Sequence, residues 1–130
     1  MADFTKVNYE DIEPMRPGPV DGRFTRSRLG DSEQLGVSRW RYAPDTAGSI
    51  GHHHDVQEEV YVVVSGSGRM KLDDEIIDLV QWDVVHVAPK VWRGIHAGPD
   101  GIELIIAGGQ RPPEGDGHMS KDFWPTAEAT

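Results

Sequence analysis

From residue 24 onward the chain breaks into short apolar runs separated by Gly, Pro and Asp. VSRWRYAP (37–44) alternates, with Ser38, Trp40 and Tyr42 on one face and Val37, Arg39 and Arg41 on the other. A period of two is that of a half-buried strand. FTRSRL (24–29) carries the same pattern weakly. EEVYVVVSG (58–66) is apolar on both faces from Val60 to Val64, and GRMKLDDEIIDLV (68–80) reads as two strands around an Asp73-Asp74 turn. DVVHVAP (83–89) follows, then VWRGIHAG (91–98), a GPDG turn at 98–101, and IELIIAG (102–108). These runs predict seven or eight strands with connections too short for parallel crossovers, so the pairing is antiparallel. A sandwich, jelly roll or small barrel is implied. A strand apolar on both faces must be covered twice, and a second sheet or second subunit would cover the outer face of Val60–Val64. Residues 1–22 read as an N-terminal arm, 23–108 as the β-barrel domain, and 109–130 as a C-terminal arm packing on it. Phe123 and Trp124 are expected to lie over an apolar edge.

Composition sharpens the fold class. Among 130 residues Val and Ile total 21, against 5 Leu and 8 Ala. Branching at Cβ favours a pleated surface over a helix, so the chain reads as all-β. Cysteine is absent, which removes disulfides and thiolate metal sites. A net charge of −9 provides no basic face for polyphosphate, so no nucleic-acid partner is expected. The start, MADFTKVNYEDIEP, is unlike a signal peptide, and no apolar run is long enough for a membrane span. The expectation is a cytoplasmic protein without membrane contact.

Candidate chemistry concentrates in GHHHDVQEEVYVVVSGSG, residues 51–68. In an extended strand His52 and His54 project together and His53 faces the other way. Glu59 opens the next strand, sharing its face with Tyr61 and Val63. Two imidazoles and a carboxylate on adjacent strands can bind a divalent metal as a facial triad with open positions. The alternative is a solvated loop in which acids and histidines cluster by chance.

The segment resembles the first motif of the cupin superfamily, G(x)5HxH(x)4E(x)6G. His52, His54, Glu59 and Gly66 fall on its HxH, E and closing G, and Thr46 stands at the opening Gly position. Residues 82–97 resemble the second motif, G(x)5PxG(x)2H(x)3N, with departures. Trp82 stands for Gly, Ala88 and Lys90 for the PxG residues, Arg93 for the fourth ligand His, and Ala97 for Asn. The resemblance implies a cupin-type double-stranded β-helix, a jelly-roll barrel, commonly dimeric, with a ligand site inside. It makes His52, His54 and Glu59 the expected ligands of a divalent metal (Fe, Mn, Ni or Zn), and a metal-free barrel the alternative. A guanidinium has no lone pair to offer, so Arg93 cannot be the fourth ligand. His96 and His86 are candidates for it, although His96 would need a bulge to turn it inward.

Arg93 reads two ways: a clamp for an anionic substrate, or an ion pair to Glu59 that replaces the metal. Trp40, Tyr42 and Tyr61 are candidate pocket residues beside Arg93. The leading functional expectation is a homodimeric cupin binding or transforming a small, anionic, oxygen-bearing metabolite at a metal, by dioxygenase, isomerase or decarboxylase chemistry. The alternatives are a non-enzymatic binding or sensing barrel, and a purely structural domain.

Overall fold

The computed structural model describes residues 4–25, 28, 29, 32–48, 50–110 and 112–124. Its strands are β1 (Val20–Phe24), β2 (Gly36–Tyr42), β3 (Gly51–His54), β4 (Glu59–Leu72), β5 (Glu75–Val80), β6 (Val84–Val87), β7 (Arg93–Gly108) and β8 (Gly117–Ser120). A 3-10 turn, Tyr9–Asp11, precedes them, and there is no α-helix among the described residues. Every pairing is antiparallel. The all-β jelly roll, one of the three architectures the apolar pattern leaves open and the one the resemblance implies, is the fold observed.

β4 and β7 pair along nearly their full length, from Glu59 opposite Gly108 to Leu72 opposite Arg93. β2 and then β1 extend the sheet from the second half of β7. β6 and β5 pair with the first and last parts of β4. β3 joins the start of β7 through His52 opposite Arg93, and β8 flanks β3 on its other side. The curled sheet encloses a core that includes Tyr61, Val63, Met70, Leu79, Ile95 and Leu104.

Two expected breaks are not breaks. The turn expected at 98–101 lies inside β7, and the Gly-rich stretch near 66–68 lies inside β4. Register shifts between Val63 and Ser65 and between Gly66 and Gly68 bend the strands instead of ending them. Gly66 and Gly101 take left-handed φ values of 78° and 75° at this bend. A Cβ on Gly66 would collide with the Gly101 carbonyl oxygen, so the close approach needs glycine. The reverse turn at Asp73 does form: its φ is 52°, and its Oδ1 accepts the Trp92 backbone N–H at 3.0 Å.

The first strand lies at Val20–Phe24, and of the 24–29 run only Phe24 belongs to it; Arg26 and Ser27 lie outside the described residues. β1 is fixed by pairing with β2, where backbone at Gly22 passes close under the Trp40 ring. The polar run of β8 becomes a strand only because it pairs with β3. Beyond it Phe123 packs over Gly51 and Gly94, Lys71 Nζ donates to the Phe123 carbonyl at 2.7 Å, and Trp124 is 5% exposed. Phe123 and Trp124 thus lie over this edge of the barrel. Residues 1–3, 111 and 125–130 of the two arms lie outside the described residues. Among the described residues no helix is long and apolar enough to cross a membrane.

Candidate metal centre

Strand alternation on β3 turns His52 and His54 to one side, where their rings meet edge to face with centroids 5.1 Å apart. His53 points the other way, stacked on His118 at 4.7 Å and edge-on to Trp92 at 4.3 Å. Glu59, first residue of β4, brings its carboxylate to the imidazole pair. Glu59 Oε1 lies 3.3 Å from His52 Nε2 and 3.6 Å from His54 Nε2. The three residues each offer one ligand atom, all within 4.8 Å of one another.

Asp116, in the turn before β8, holds this arrangement from behind. Its Oδ1 accepts from His54 Nδ1 at 2.9 Å, and its Oδ2 accepts the backbone N–H groups of Val56 and Gln57, both at 2.8 Å. One buried carboxylate therefore orients His54 and shapes the turn leading to Glu59. An ionised carboxylate only accepts, so Nδ1 carries the proton toward Asp116, and in the neutral ring this leaves the Nε2 lone pair on the Glu59 side. That nitrogen is buried and has no hydrogen-bond partner.

The local charges shift the titrations. Burial works to raise the Glu59 pKa, but the adjacent imidazoles of His52 and His54 outweigh it and hold the carboxyl well below its usual range. Asp116 is likewise opposed by burial, yet the Gln57 and Val56 N–H groups and His54 bring it down to about 2. Glu59, with a smaller contribution from Asp116, raises the His54 pKa against desolvation. Tyr61, buried and beside the Glu59 charge, has its pKa pushed far up, so its phenol stays a donor. Tyr61 Oη donates to Glu59 Oε1 at 3.0 Å.

Arg93 is fully buried. Its two terminal nitrogens donate to the Ala88 carbonyl at 2.9 Å and the Pro89 carbonyl at 3.3 Å, and its Nε lies 3.9 Å from Glu59 Oε1. Of the two readings of Arg93, the geometry provides a long ion pair behind Glu59 and no guanidinium face open to a substrate. His96 and His86 are not brought to the cluster. His96 is buried on the other side of β7, with its Nδ1 2.9 Å from the Ala97 carbonyl and its ring edge-on to Trp124. No bulge turns it inward. His86 is on the outer surface, 2.7 Å from Glu58.

A cavity of about 370 Å³ opens over the cluster. His52, His54 and Glu59 form its polar end. Phe24, Val37, Trp40, Ile106 and Met119 supply apolar wall, with Ser38 and Gln57 between them. Of the four expected pocket residues only Trp40 lines this cavity. Tyr42 is the neighbour of Ile102, further along β2 from the mouth than Trp40, which pairs with Leu104. Tyr61 and Arg93 lie beneath Glu59. Asp116, Gln57, Phe24 and Met119 were not foreseen; they come from segments far from the motif in sequence, and no local pattern marks them.

The donor set suits a divalent ion. Two imidazoles and a carboxylate form the usual three-ligand set of an open metal site. The unpartnered, buried His54 Nε2 has the lone pair such an ion requires, and Asp116 is the outer carboxylate that commonly orients a ligating imidazole.

The profile of the family described as "Cupin domain" matches residues 38–106. An uncharacterized protein of Methanocaldococcus jannaschii, MJ1618, is 28% identical over 88 residues, which cover 65% of this chain and 69% of that protein. Among solved structures, a Streptomyces PAC13 variant with uridine is similar at 18% identity and TM-score 0.74, covering 92% of each chain. Oxalate decarboxylase from Bacillus subtilis is similar at 20% identity and TM-score 0.77, over 93% of this chain and 32% of that one. The chain therefore spans about a third of the decarboxylase. A cupin protein of Bacteroides fragilis is similar at 23% identity and TM-score 0.65, over 79% of this chain and 87% of that one.

Proposed function

The chain belongs to the cupin family, and from that premise we propose that it holds a divalent metal at His52, His54 and Glu59 and presents it to a small oxygen-bearing ligand. The observation that carries this reading is His54 Nε2: buried, unpartnered, its lone pair directed by Asp116 toward Glu59. A buried nitrogen without a partner is costly unless something else fills the position.

When bound, the metal would supply a Lewis acid with coordination positions open toward the cavity. The chain's own residues do the rest. Asp116 fixes the His54 tautomer, and Tyr61 and Arg93 hold the Glu59 carboxylate in place from below. Phe24, Trp40 and Ile106 exclude water from one side of the ligand. Uridine and oxalate, with which neighbours are described, mark two ends of a charge range, a neutral heterocycle and a small dianion, and both carry oxygens.

A metal-free binding barrel is the second reading, favoured by one feature: Glu59 already accepts from Tyr61 and has Arg93 behind it. Thermal melting separates the two. With Mn(II), Fe(II), Ni(II) or Zn(II) added in turn, at least one should raise the melting temperature of the tag-free protein, as linkage requires. His54→Ala should abolish that rise. No rise with any of the four would remove the metal reading.

The proposal extends to a homodimer. Val62 and its cross-strand neighbours Val84 and Ile105 stand on the outer face, with Val84 64% exposed. Light scattering at micromolar concentration should give twice the 14.4 kDa chain mass; a single-chain mass would contradict it.

A further inference from the structure

The cavity over His52, His54 and Glu59 has walls whose chemistry restricts the ligand more narrowly than the metal site does. Among the described residues, no lysine or arginine lines it. Its titratable lining consists of the three cluster residues alone. Arg93, the nearest cation to the cluster, is fully buried behind Glu59, with both terminal nitrogens donated to backbone carbonyls. Its guanidinium does not line the cavity, so it cannot fork around a carboxylate or phosphate seated there, which is how guanidinium recognises such groups.

The charge balance points the same way. A divalent ion at the cluster would be offset by the ionised carboxylates of Glu59 and, behind His54, Asp116. What remains is the single positive charge of Arg93, shielded by Glu59. A dianion seated here would place an uncompensated negative charge against apolar wall, which is strongly unfavourable.

The wall is aromatic on one side. Trp40 and Phe24 meet edge to face, with centroids 5.4 Å apart, and Ile106 lines the cavity with them. Trp40 Nε1 is already donated to Ser38 Oγ at 2.9 Å, so the indole presents no free polar handle to the ligand. The volume of about 370 Å³ lies at the small end of the range of small-molecule sites, about 300–1,000 Å³. That suits one ring or a fused pair.

We propose that the cavity takes a neutral or singly ionised flat ring, aromatic or heteroaromatic, bearing a hydroxyl or keto oxygen. The ring packs against Trp40, Phe24 and Ile106, and the oxygen faces His52, His54 and Glu59. The oxygen end rests on the metal reading above; the ring end does not. The anionic metabolite expected from Arg93 at the sequence level is thereby replaced by a ligand of little or no charge.

Isothermal titration of 2-naphthol and of oxalate into the tag-free protein tests this, with and without an equimolar amount of Mn(II). The expected result is saturable 2-naphthol binding in both states, about tenfold or more tighter than oxalate. Oxalate binding as tightly as 2-naphthol to the Mn(II)-loaded protein, or no 2-naphthol binding in either state, would overturn the proposal. A parallel Mn(II) titration keeps the two ideas apart: failure to take up the ion counts against the metal reading only, and the metal-free pair still judges the ring pocket. Val37→Arg provides a second arm. Val37 lines the cavity yet is 37% exposed, so a long charged side chain fits there without unfolding the barrel. The variant should reduce the 2-naphthol preference about tenfold, and an unchanged preference would also overturn the proposal.

Discussion

Replacing Asp116 by Asn changes one atom and should separate the fold from the metal site. In the native structure Oδ2 accepts two backbone N–H groups and Oδ1 accepts from His54 Nδ1. An Asn can keep its oxygen toward Val56 and Gln57, because both need an acceptor. Its amide NH2 then faces His54, and Nδ1 must become the acceptor. The ring proton moves to Nε2, the nitrogen directed at Glu59, and the lone pair that a metal needs is gone. The stability cost follows from the titration of the carboxyl. A pKa of about 2 in the fold against 3.8 for a free Asp corresponds to about 2 kcal/mol at neutral pH, which the neutral amide forfeits. For a chain of this size that lowers the melting temperature by about 5–10 °C. Metal affinity should fall by about 10–100-fold. Two assays are needed on the same sample: calorimetric titration of the metal, and long-range proton–nitrogen NMR of the His54 ring. A variant that loses about 2 kcal/mol but binds metal with native affinity and keeps the Nδ1–H tautomer would refute the reasoning.

The remaining predictions concern the groups around this pair. Lowering the pH from 5 to 2 should cost the wild type about 2 kcal/mol more than Asp116→Asn in urea melts: a depressed carboxyl pKa gives stability that is present above the free value of 3.8 and lost as pH falls toward about 2. Glu59 acts in the same sense, whereas His54, with its pKa raised, contributes stability that is full below its ordinary 6.5 and lost as pH rises through the folded value. Arg93→Met leaves the Glu59 carboxylate with no cation behind it and should destabilise the metal-free protein by about 3–5 kcal/mol in chemical denaturation, less once metal is added. Gly66→Ala forces a side chain into the left-handed region and against the Gly101 carbonyl, and should cost about 2–4 kcal/mol by the same measurement.

Much of the fold was legible because period-two alternation marks a strand wherever one face is buried. β2 shows it: Ser38 is buried and Trp40 half-buried on the face the alternation assigned. Length was less legible than existence. Gly66 and Gly101 look like chain reversals in sequence, but lying close across β4 and β7 they bend two long strands without ending them. Trp82 shows why the second motif is degenerate yet still works as a turn. Its φ of 72° is the left-handed conformation that a glycine supplies, and Asp83 Oδ2 secures the corner by accepting the Val80 N–H at 2.8 Å.

The HxH spacing placed His52 and His54 on one face by strand geometry alone, the adjacent strand start offered Glu59, and the resemblance joined the three as a ligand set. The supporting parts were not legible. Asp116 is 62 residues from His54, in a Gly-Asp-Gly turn with no hydrophobic period, and only the β3–β8 pairing brings it there. Arg93 was identified as buried beside the cluster, but sequence could not say that the carbonyls of Ala88 and Pro89 would occupy its donors. Those carbonyls hold its terminal nitrogens, and complete burial keeps the guanidinium out of the cavity lining.

Metal content tests the central claim most directly. The protein should be prepared without a polyhistidine tag, loaded with each candidate divalent ion, desalted and analysed for metal per chain, alongside His52→Ala and Glu59→Gln. The account predicts close to one ion per wild-type chain for at least one metal, and a large loss in both variants. Substoichiometric metal that neither substitution changes would contradict it.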